Sequence, residues 1–299
     1  MSPRGDSAAG VHTGVVFLDK EAGLTSFAAI GVVKRLLSTR RVGHTGTLDP
    51  FATGLMVVLT GSATRCARLF SDLDKRYEAT FTFGTETTTD DSTGDVVLSK
   101  PIPSVAGILA GLQHFRGEID QVPPNYSAIH VDGRRAHQIA RAGRTVELES
   151  RRVTIFDIEA RMASDCNVEI ALHCTSGTYV RSIARDLGRL LGSAAHVSRL
   201  RRTAVGPFSV DEATSPSTLS VRDVRAVLPV IERLPGLRLY ELDQEQVVLV
   251  RNGGRLMLPP DASVRQGSTA LTHAGRLFAV GHGSETRFDY EMVFPEGIA

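Results

Sequence analysis

The sequence predicts an α+β protein, with strands and helices mixed irregularly in a large first part and a small β-rich module at the end. Three observations carry this. Arg76 to Thr85 and Val168 to Cys174 alternate apolar and polar residues with the period of a half-buried strand. From Thr178 the period changes, and Val180, Ile183, Leu187, Leu190 and Leu191 mark one face of a helix. After Pro235-Gly236 the chain breaks into short apolar segments separated by Gly- and Pro-containing turns, the pattern of a small β-barrel-like module. The expected division is a polar, disordered leader over residues 1–12, a main domain over 13–234 and a C-terminal domain over 235–299.

Gly14 to Leu18 reads as a strand running into Asp19-Lys20. Thr25 and Ser26 are N-cap candidates for a helix with apolar positions Phe27, Ile30, Val33 and Leu37. A glycine-rich loop follows, then Leu55 to Leu59 as a buried strand ended by Gly61. In the alternating strand, Tyr77, Ala79, Phe81 and Phe83 share a face, and the polar loop Thr87 to Gly94 links it to Val96-Val97-Leu98. Ser104 to Leu112 reads as a helix and Val122-Pro123-Pro124-Asn125 as a rigid connector. Asp132-Gly133 suits a hairpin turn, before a short arginine-rich helix ended by Gly143. Val153 to Met162 is strand-like, and Gly192 takes the C′ position of the helix that starts near Thr178. A helix near Leu219 to Leu228 is stopped by Pro229, and the last module holds apolar segments at 237–239, 247–250, 277–280 and 292–294.

At 299 residues with 42% hydrophobic and 22% charged content, the chain can bury a substantial core. A net charge of +1 excludes a polycation that coats nucleic acid, so any RNA affinity must come from local clusters. Three exist: Lys34, Arg35, Arg40 and Arg41; Arg134, Arg135, Arg141, Arg144, Arg151 and Arg152; and Arg199, Arg201 and Arg202. Each alone reads as a solvated face. Cys66, Cys166 and Cys174 lack the spacing of a disulfide framework or a zinc site. With no long apolar run and no signal-peptide core, a cytoplasmic protein is expected.

The most informative stretch is Gly43-His44-Thr45-Gly46-Thr47-Leu48-Asp49-Pro50, followed by Phe51-Ala52-Thr53-Gly54. Pro50 biases Asp49 towards extended backbone, and the glycines let the chain turn tightly and a ligand come close. An Asp-Pro in such a loop reads by itself as a surface turn, and no Gly-Lys-Ser/Thr follows to make a phosphate loop. Two further stretches join it: Lys75-Arg76-Tyr77-Glu78-Ala79 and Ser176-Gly177-Thr178-Tyr179-Val180-Arg181-Ser182. Together they resemble the TruB family of bacterial tRNA pseudouridine synthases, with matches from about residue 14 to 205.

The resemblance implies a mixed-sheet pseudouridine synthase catalytic domain with a small PUA-like RNA-binding C-terminal domain. It also implies a stand-alone, monomeric enzyme that isomerises uridine 55 in the T-loop of tRNA, bound through the T-arm stem-loop. That reaction breaks the N–C glycosidic bond, rotates the base and rejoins it through carbon, so no cofactor and no metal is called for. A single carboxylate can serve as nucleophile or general base, and Asp49 matches the family's catalytic aspartate. A buried carboxylate needs a cation to stay ionised, and Arg181 matches the family's paired arginine. Tyr77 matches the tyrosine that packs on the flipped uracil, although its pattern alone is that of a core strand residue. Tyr179 and Leu200 match substrate-contacting positions, and His44 a histidine associated with the flipped-out RNA. Lys20, within Asp19-Lys20-Glu21-Ala22-Gly23-Leu24-Thr25-Ser26, matches the first motif, with phosphate contact as its expected direct role. Val122 to His130 resembles the family's Pro-Pro…Ser-Ala-Leu-Lys stretch, but Ile129 replaces leucine and His130 replaces lysine, so His130 receives no role. The guide-RNA-dependent dyskerin branch shares the core, yet the long basic extensions of its eukaryotic form are absent here. The alternative is a tRNA-binding folding chaperone, with or without the same chemistry. A hydrolytic nucleosidase would instead release free base.

Overall fold

The structure is a computed structural model that describes residues 13–127, 130–131, 134–135, 148–257, 267–283 and 287–299. The expected leader, the Asp132-Gly133 turn and the arginine-rich helix before Gly143 lie outside the described residues.

Local chemistry explains most element boundaries. Strand β1 (Gly14–Lys20) is followed by helix α1 (Ser26–Leu36), whose N-cap Thr25 accepts the Ala28 N–H through its hydroxyl. Ile30, Val33 and Leu37 are buried as expected, but Phe27 is 74% exposed. Each residue advances about 100° around a helix, which sets Phe27 roughly 90° off the direction shared by the other three. Ser26 takes the inward place instead. Strand β2 (Val42–His44) pairs with β3 (Thr53–Thr60), and a 3-10 turn leads to the short helix α2 (Ala67–Ser71). Strand β4 (Lys75–Phe83) alternates as predicted; β5 (Thr85–Thr87) and β6 (Val96–Ser99) form a ribbon. Ser104 caps α3 (Val105–Leu112), and β7 (Gly117–Gln121) follows. Strands β8 (His130–Val131) and β9 (Arg134–Arg135) pair antiparallel.

Strands β10 (Arg151–Met162) and β11 (Asn167–Cys174) precede α4 (Val180–Leu190). Gly192, at φ 65°, ends this helix, with the Ser193 N–H on the Gly188 carbonyl at 2.9 Å. Strand β12 (Ala195–Val205) comes next, then β13 (Phe208–Ser209). The helix expected at 219–228 is instead a 3-10 turn at Val221–Asp223 and a short α5 (Val227–Ile231). Pro229 lies inside the first turn of α5, where it has no intrahelical hydrogen bond to lose, so it stops nothing. Strand β14 (Arg238–Glu241) leads to α6 (Gln244–Arg251), which replaces the apolar segment expected at 247–250. Asp243 and Gln246 cap it reciprocally. Strands β15 (Thr269–His273), β16 (Arg276–Gly283) and β17 (Phe288–Ile298) complete the chain.

The chain divides into two compact units. One contains Asp49–Gly54 and Asp72–Val205. Its sheet runs β12-β4-β11-β10-β7 with antiparallel neighbours, and Thr53-Gly54 joins β12 in parallel, so the sheet is mixed. At Gly54, φ is 109° and a Cβ would fall 2.2 Å from the Arg202 carbonyl oxygen, so glycine alone allows this approach. Phe81, Ile155, Val168 and Ile170 from the strands, with Ile108, Leu112, Ile183 and Leu187 from α3 and α4, are buried in this unit.

The other unit contains Met1–Leu48, Leu55–Ser71 and Gly206–Ala299. Phe208 stands 5.0 Å from Phe17 and 5.8 Å from Phe70, ring centre to ring centre. Strands β14-β15-β16-β17 form a second mixed sheet over a core that includes Leu242, Val247, Val250, Leu271, Phe278 and Phe288. The Arg65 guanidinium lies 5.1 Å over the Phe294 ring. The three cysteines are free, and among the described residues no helix is long and apolar enough to cross a membrane.

Candidate active site

Asp49 stands where the glycine-rich stretch meets Pro50, outside helix and strand. The residue before it is fixed by a side chain 22 positions away. The buried Ser26 hydroxyl donates to the Leu48 carbonyl at 2.8 Å and accepts the Leu48 N–H at 2.9 Å. Beyond the proline, the Ala52 N–H closes a turn on the Asp49 carbonyl at 3.1 Å.

Arg181 comes from the first turn of α4, as its place in the sequence predicts. Its Nε lies 2.9 Å from Asp49 Oδ2 and its Nη2 donates to Oδ1 at 3.0 Å, a two-pronged ion pair. Nη2 also donates to the Tyr126 carbonyl at 3.1 Å, and Nη1 to the Thr89 carbonyl at 2.8 Å. Nη1 further faces Asp91 Oδ2 at 3.6 Å. The fork is thus surrounded by acceptors and has no freedom to turn elsewhere. The Arg181 side chain is 3% exposed and that of Asp49 30%, so the carboxylate is the end a ligand can reach.

The polar loop 87–94, expected only to link two strands, backs this pair. Asp91 is buried, and its Oδ1 accepts from Thr89 Oγ1 at 2.7 Å and from the Thr93 N–H at 2.9 Å. Its neighbour Asp90 is also buried and meets Arg185 Nη1 at 3.0 Å. Burial pushes the Asp90 carboxyl up to about 6, although Arg185 and Arg181 pull the other way. Sequence reasoning misses Asp90, Asp91 and Arg185. The one usable signal is Arg185 itself, four residues after Arg181 on the buried side of an apolar stripe.

Tyr77 lies on β4 between Leu172 and Arg202 in register. Burial raises its phenol above the ordinary value, opposed by Arg202, which also hydrogen-bonds it. Tyr179 precedes α4 and is clasped by Gln121, which accepts its N–H at 2.8 Å and donates to its carbonyl at 3.0 Å. The Arg151 guanidinium lies 4.4 Å over the Tyr179 ring. Burial raises this phenol too, so both tyrosines are neutral near pH 7. The Asp49 charge acts on both, which gathers Asp49, Arg181, Tyr77 and Tyr179 into one site.

The remaining expected residues are placed differently. Leu200 is buried opposite Ala79 and lines a trough of about 510 Å³ with Glu78, Thr80, Glu169 and Arg199. The walls of that trough come from the sheet, not from Asp49, Tyr77 or Arg181. His44 ends β2 opposite Val58 and is half-buried. Lys20 is 0% exposed, and its Nζ donates to the Glu21 and Leu24 carbonyls at 2.9 and 2.8 Å. It therefore holds the turn before α1, and the phosphate contact expected of it has no exposed atom to make it. The third arginine run is not one solvated face: Arg199 is exposed, but Arg202 is buried beside Tyr77. The side chains of Arg134, Arg135, Arg141 and Arg144 lie outside the described residues.

Known proteins share this architecture. The structure of a Cbf5-Nop10-Gar1 complex contains a chain that aligns with 95% of this one and 85% of its own length, with a TM-score of 0.72 and 24% identity. An archaeal box H/ACA sRNP Nop10-Cbf5 complex gives a TM-score of 0.68 at 21% identity, covering 97% and 88%. At such identity the likeness establishes the fold. In sequence, residues 34–180 match the TruB family pseudouridylate synthase N-terminal domain, and residues 181–227 the tRNA pseudouridylate synthase B C-terminal domain. The tRNA pseudouridine synthase B of Aromatoleum aromaticum is 42% identical over 276 residues, 90% of this chain and 88% of that protein. The protein of the same name from Mycobacterium sp. (strain KMS) is 48% identical over 213 residues, 69% of this chain and 72% of its own. The sequence matches, on a fold consistent with them, define an RNA pseudouridine synthase. Within that class the chain belongs to the TruB family.

Proposed function

We propose that this chain isomerises uridine 55 in the T-loop of tRNA to pseudouridine, with Asp49 as the reacting carboxylate. The observation that carries the reading is the two-pronged Asp49–Arg181 pair, in which the arginine is enclosed and the carboxylate remains accessible. Arg181 sets a fixed counter-charge against Asp49 and fixes its oxygens in direction, which a nucleophile or a general base requires. A base stacked in RNA cannot reach such a carboxylate, so the uridine must leave its stack, and the rings of Tyr77 and Tyr179 offer faces to receive it. Their neutral phenols add no charge against the uracil. The relatives named tRNA pseudouridine synthase B support tRNA as the substrate. On this reading residues 13–234 are catalytic, His44 and Leu200 meet the RNA around the flipped nucleotide, and residues 235–299 bind tRNA as a PUA-like domain. The enzyme acts as a cytoplasmic monomer without a protein partner.

The test is incubation of the purified protein alone with a T-arm stem-loop and with whole tRNA, followed by chemical mapping of pseudouridine. Modification at position 55 is the expected result. Release of free uracil would instead mean a hydrolytic nucleosidase. Tight binding and refolding of tRNA with no pseudouridine would leave only the chaperone reading.

A further inference from the structure

We infer that Asp90 and Arg185 form a second ion pair whose task is to position Arg181, and through it the Asp49 carboxylate, for the isomerisation. The two arginines stand four residues apart, so one face of α4 presents both, about one turn from each other. The loop presents two consecutive carboxylates to them. Asp91 and the Thr89 carbonyl meet Arg181, while Asp90 meets Arg185. Asp90 adopts φ 58°, a left-handed conformation that aspartate tolerates better than most residues.

The backbone around Asp90 is pinned on both sides. Its N–H donates to the Thr87 carbonyl at 3.2 Å, and its carbonyl accepts the Val197 N–H at 3.1 Å. Arg185 reaches a second support of the site as well. Its Nη2 donates to the Val122 carbonyl at 2.8 Å, which the Ser182 hydroxyl also meets at 2.9 Å. Val122 opens the proline connector that leads to Tyr126, and the Tyr126 carbonyl is an acceptor of Arg181. Arg185 therefore ties together both segments that hold Arg181 from behind. Asp90 and Arg185 act through Arg181 and its supports; they are positioning residues.

Charge on Asp90 is held against its own preference. Arg185 and Arg181 face it from α4 and Glu86 from β5, Asp91 adjoins it in the chain, and Asp186 takes Arg185 Nε at 2.8 Å. With its carboxyl lifted to about 6, Asp90 changes charge in a range where an ordinary aspartate is fully ionised. The signs of the two consequences differ. A folded-state value above the unfolded one contributes stability that is full below the unfolded value and lost as pH rises through about 6. The ion pair itself exists only above that same point. Burial thus costs the ionised Asp90 more than its arginines return, and the support for a positioning role is the geometry above.

The proposal rests on Asp49 as the reacting carboxylate, so D49N is measured alongside. Single-turnover release of the uridine C5 proton, followed as tritium from a labelled T-arm stem-loop, is measured between pH 5 and 8. The wild-type rate falls as pH drops through about 6. D90N runs about tenfold slower at pH 7.5 and has no limb near 6, because a small displacement of a catalytic group is enough for such a loss. R185Q is also slower, and its acid limb moves upward, since Asp90 then lacks its cation. The double variant is no slower than the slower single one. Affinity for the stem-loop stays within about twofold throughout, since neither residue holds phosphate. Thermal unfolding at pH 7.5 checks that each variant is folded, and D90N alone suffices if R185Q is not. A D90N enzyme with the wild-type rate and an unchanged acid limb overturns the proposal. Turnover by D49N would instead overturn the reading of Asp49, whatever Asp90 does.

Discussion

Asp49 and Arg181 carry unequal burdens, and their substitutions should fail differently. Asp49→Asn keeps the shape and removes the charge, so turnover should fall below detection while RNA affinity stays within several-fold, because affinity resides in phosphate contacts and stacking. Measurable product from the purified variant would remove Asp49 from the central role. Arg181→Lys replaces a fork with a point charge. Lysine can meet Asp49 or the Thr89 and Tyr126 carbonyls, but not all of them at once. A buried acceptor left alone costs about 1–3 kcal/mol, so the variant should lose stability as well as at least about a hundredfold in single-turnover rate. A near-normal rate would show that the two-pronged geometry is dispensable. The pairing of Asp49 with Arg181 is legible in the sequence because their motifs are specific. Asp90 and Asp91 are not, since aspartates among threonine, serine and glycine look like a solvated loop. Their burial comes from α4 and β12, roughly a hundred residues away in sequence.

Among the elements, α4 has the most exacting fit. A Cβ on Gly188 would lie 2.6 Å from the Ala195 N and 2.8 Å from the Ala194 carbonyl carbon, both backbone atoms that cannot swing aside. Gly188→Ala should therefore push the helix off the start of β12 and cost about 1–3 kcal/mol of stability. The shift would carry Arg181 and Arg185 with it, so the single-turnover rate should fall in parallel. Denaturant titration checks the first effect, and an unchanged midpoint would mean that the contact yields freely. Helix α4 is readable from its apolar period and its terminal Gly192. Strand β12 is hidden for two physical reasons. Arg202 is buried where the alternation calls for an apolar residue, and register shifts between Val197 and Arg199 and between Arg202 and Ala204 break the period of two. Helix α6 looks strand-like in sequence because Val247 to Val250 is apolar without a period. The informative signal lies just before it, in the Asp243–Gln246 capping pair.

At the scale of the whole molecule, a net charge of +1 means that RNA must be held by local basic surface. Arg40 and Arg41 are both exposed just ahead of β2, as is Arg35 of the same cluster in α1. Replacing Arg40 and Arg41 with glutamine should weaken stem-loop binding at low salt and reduce the slope of log affinity against log salt by about 1–2, with the rate at saturating RNA retained. Binding curves at several salt concentrations decide this, and an unaltered slope would place the pair outside the RNA surface. The fold class and the catalytic strands are visible in the sequence. What periodicity cannot show is that Gly206–Ala299 shares a compact unit with the chain's first strands, because such a partnership depends on contacts far apart in sequence.

That partnership has a consequence for how the protein is made. Synthesis runs from the N-terminus, so Asp49–Gly54 and Asp72–Val205 are all present while the other unit still lacks everything from Gly206 onward. At ~5–20 residues per second, roughly 7–30 s separate Ser71 from Phe208. During that interval Phe17 and Phe70 have no Phe208 to pack against. On the ribosome, the unit that carries Asp49 and Arg181 is complete first, while the Phe17 and Phe70 rings still wait for their partner.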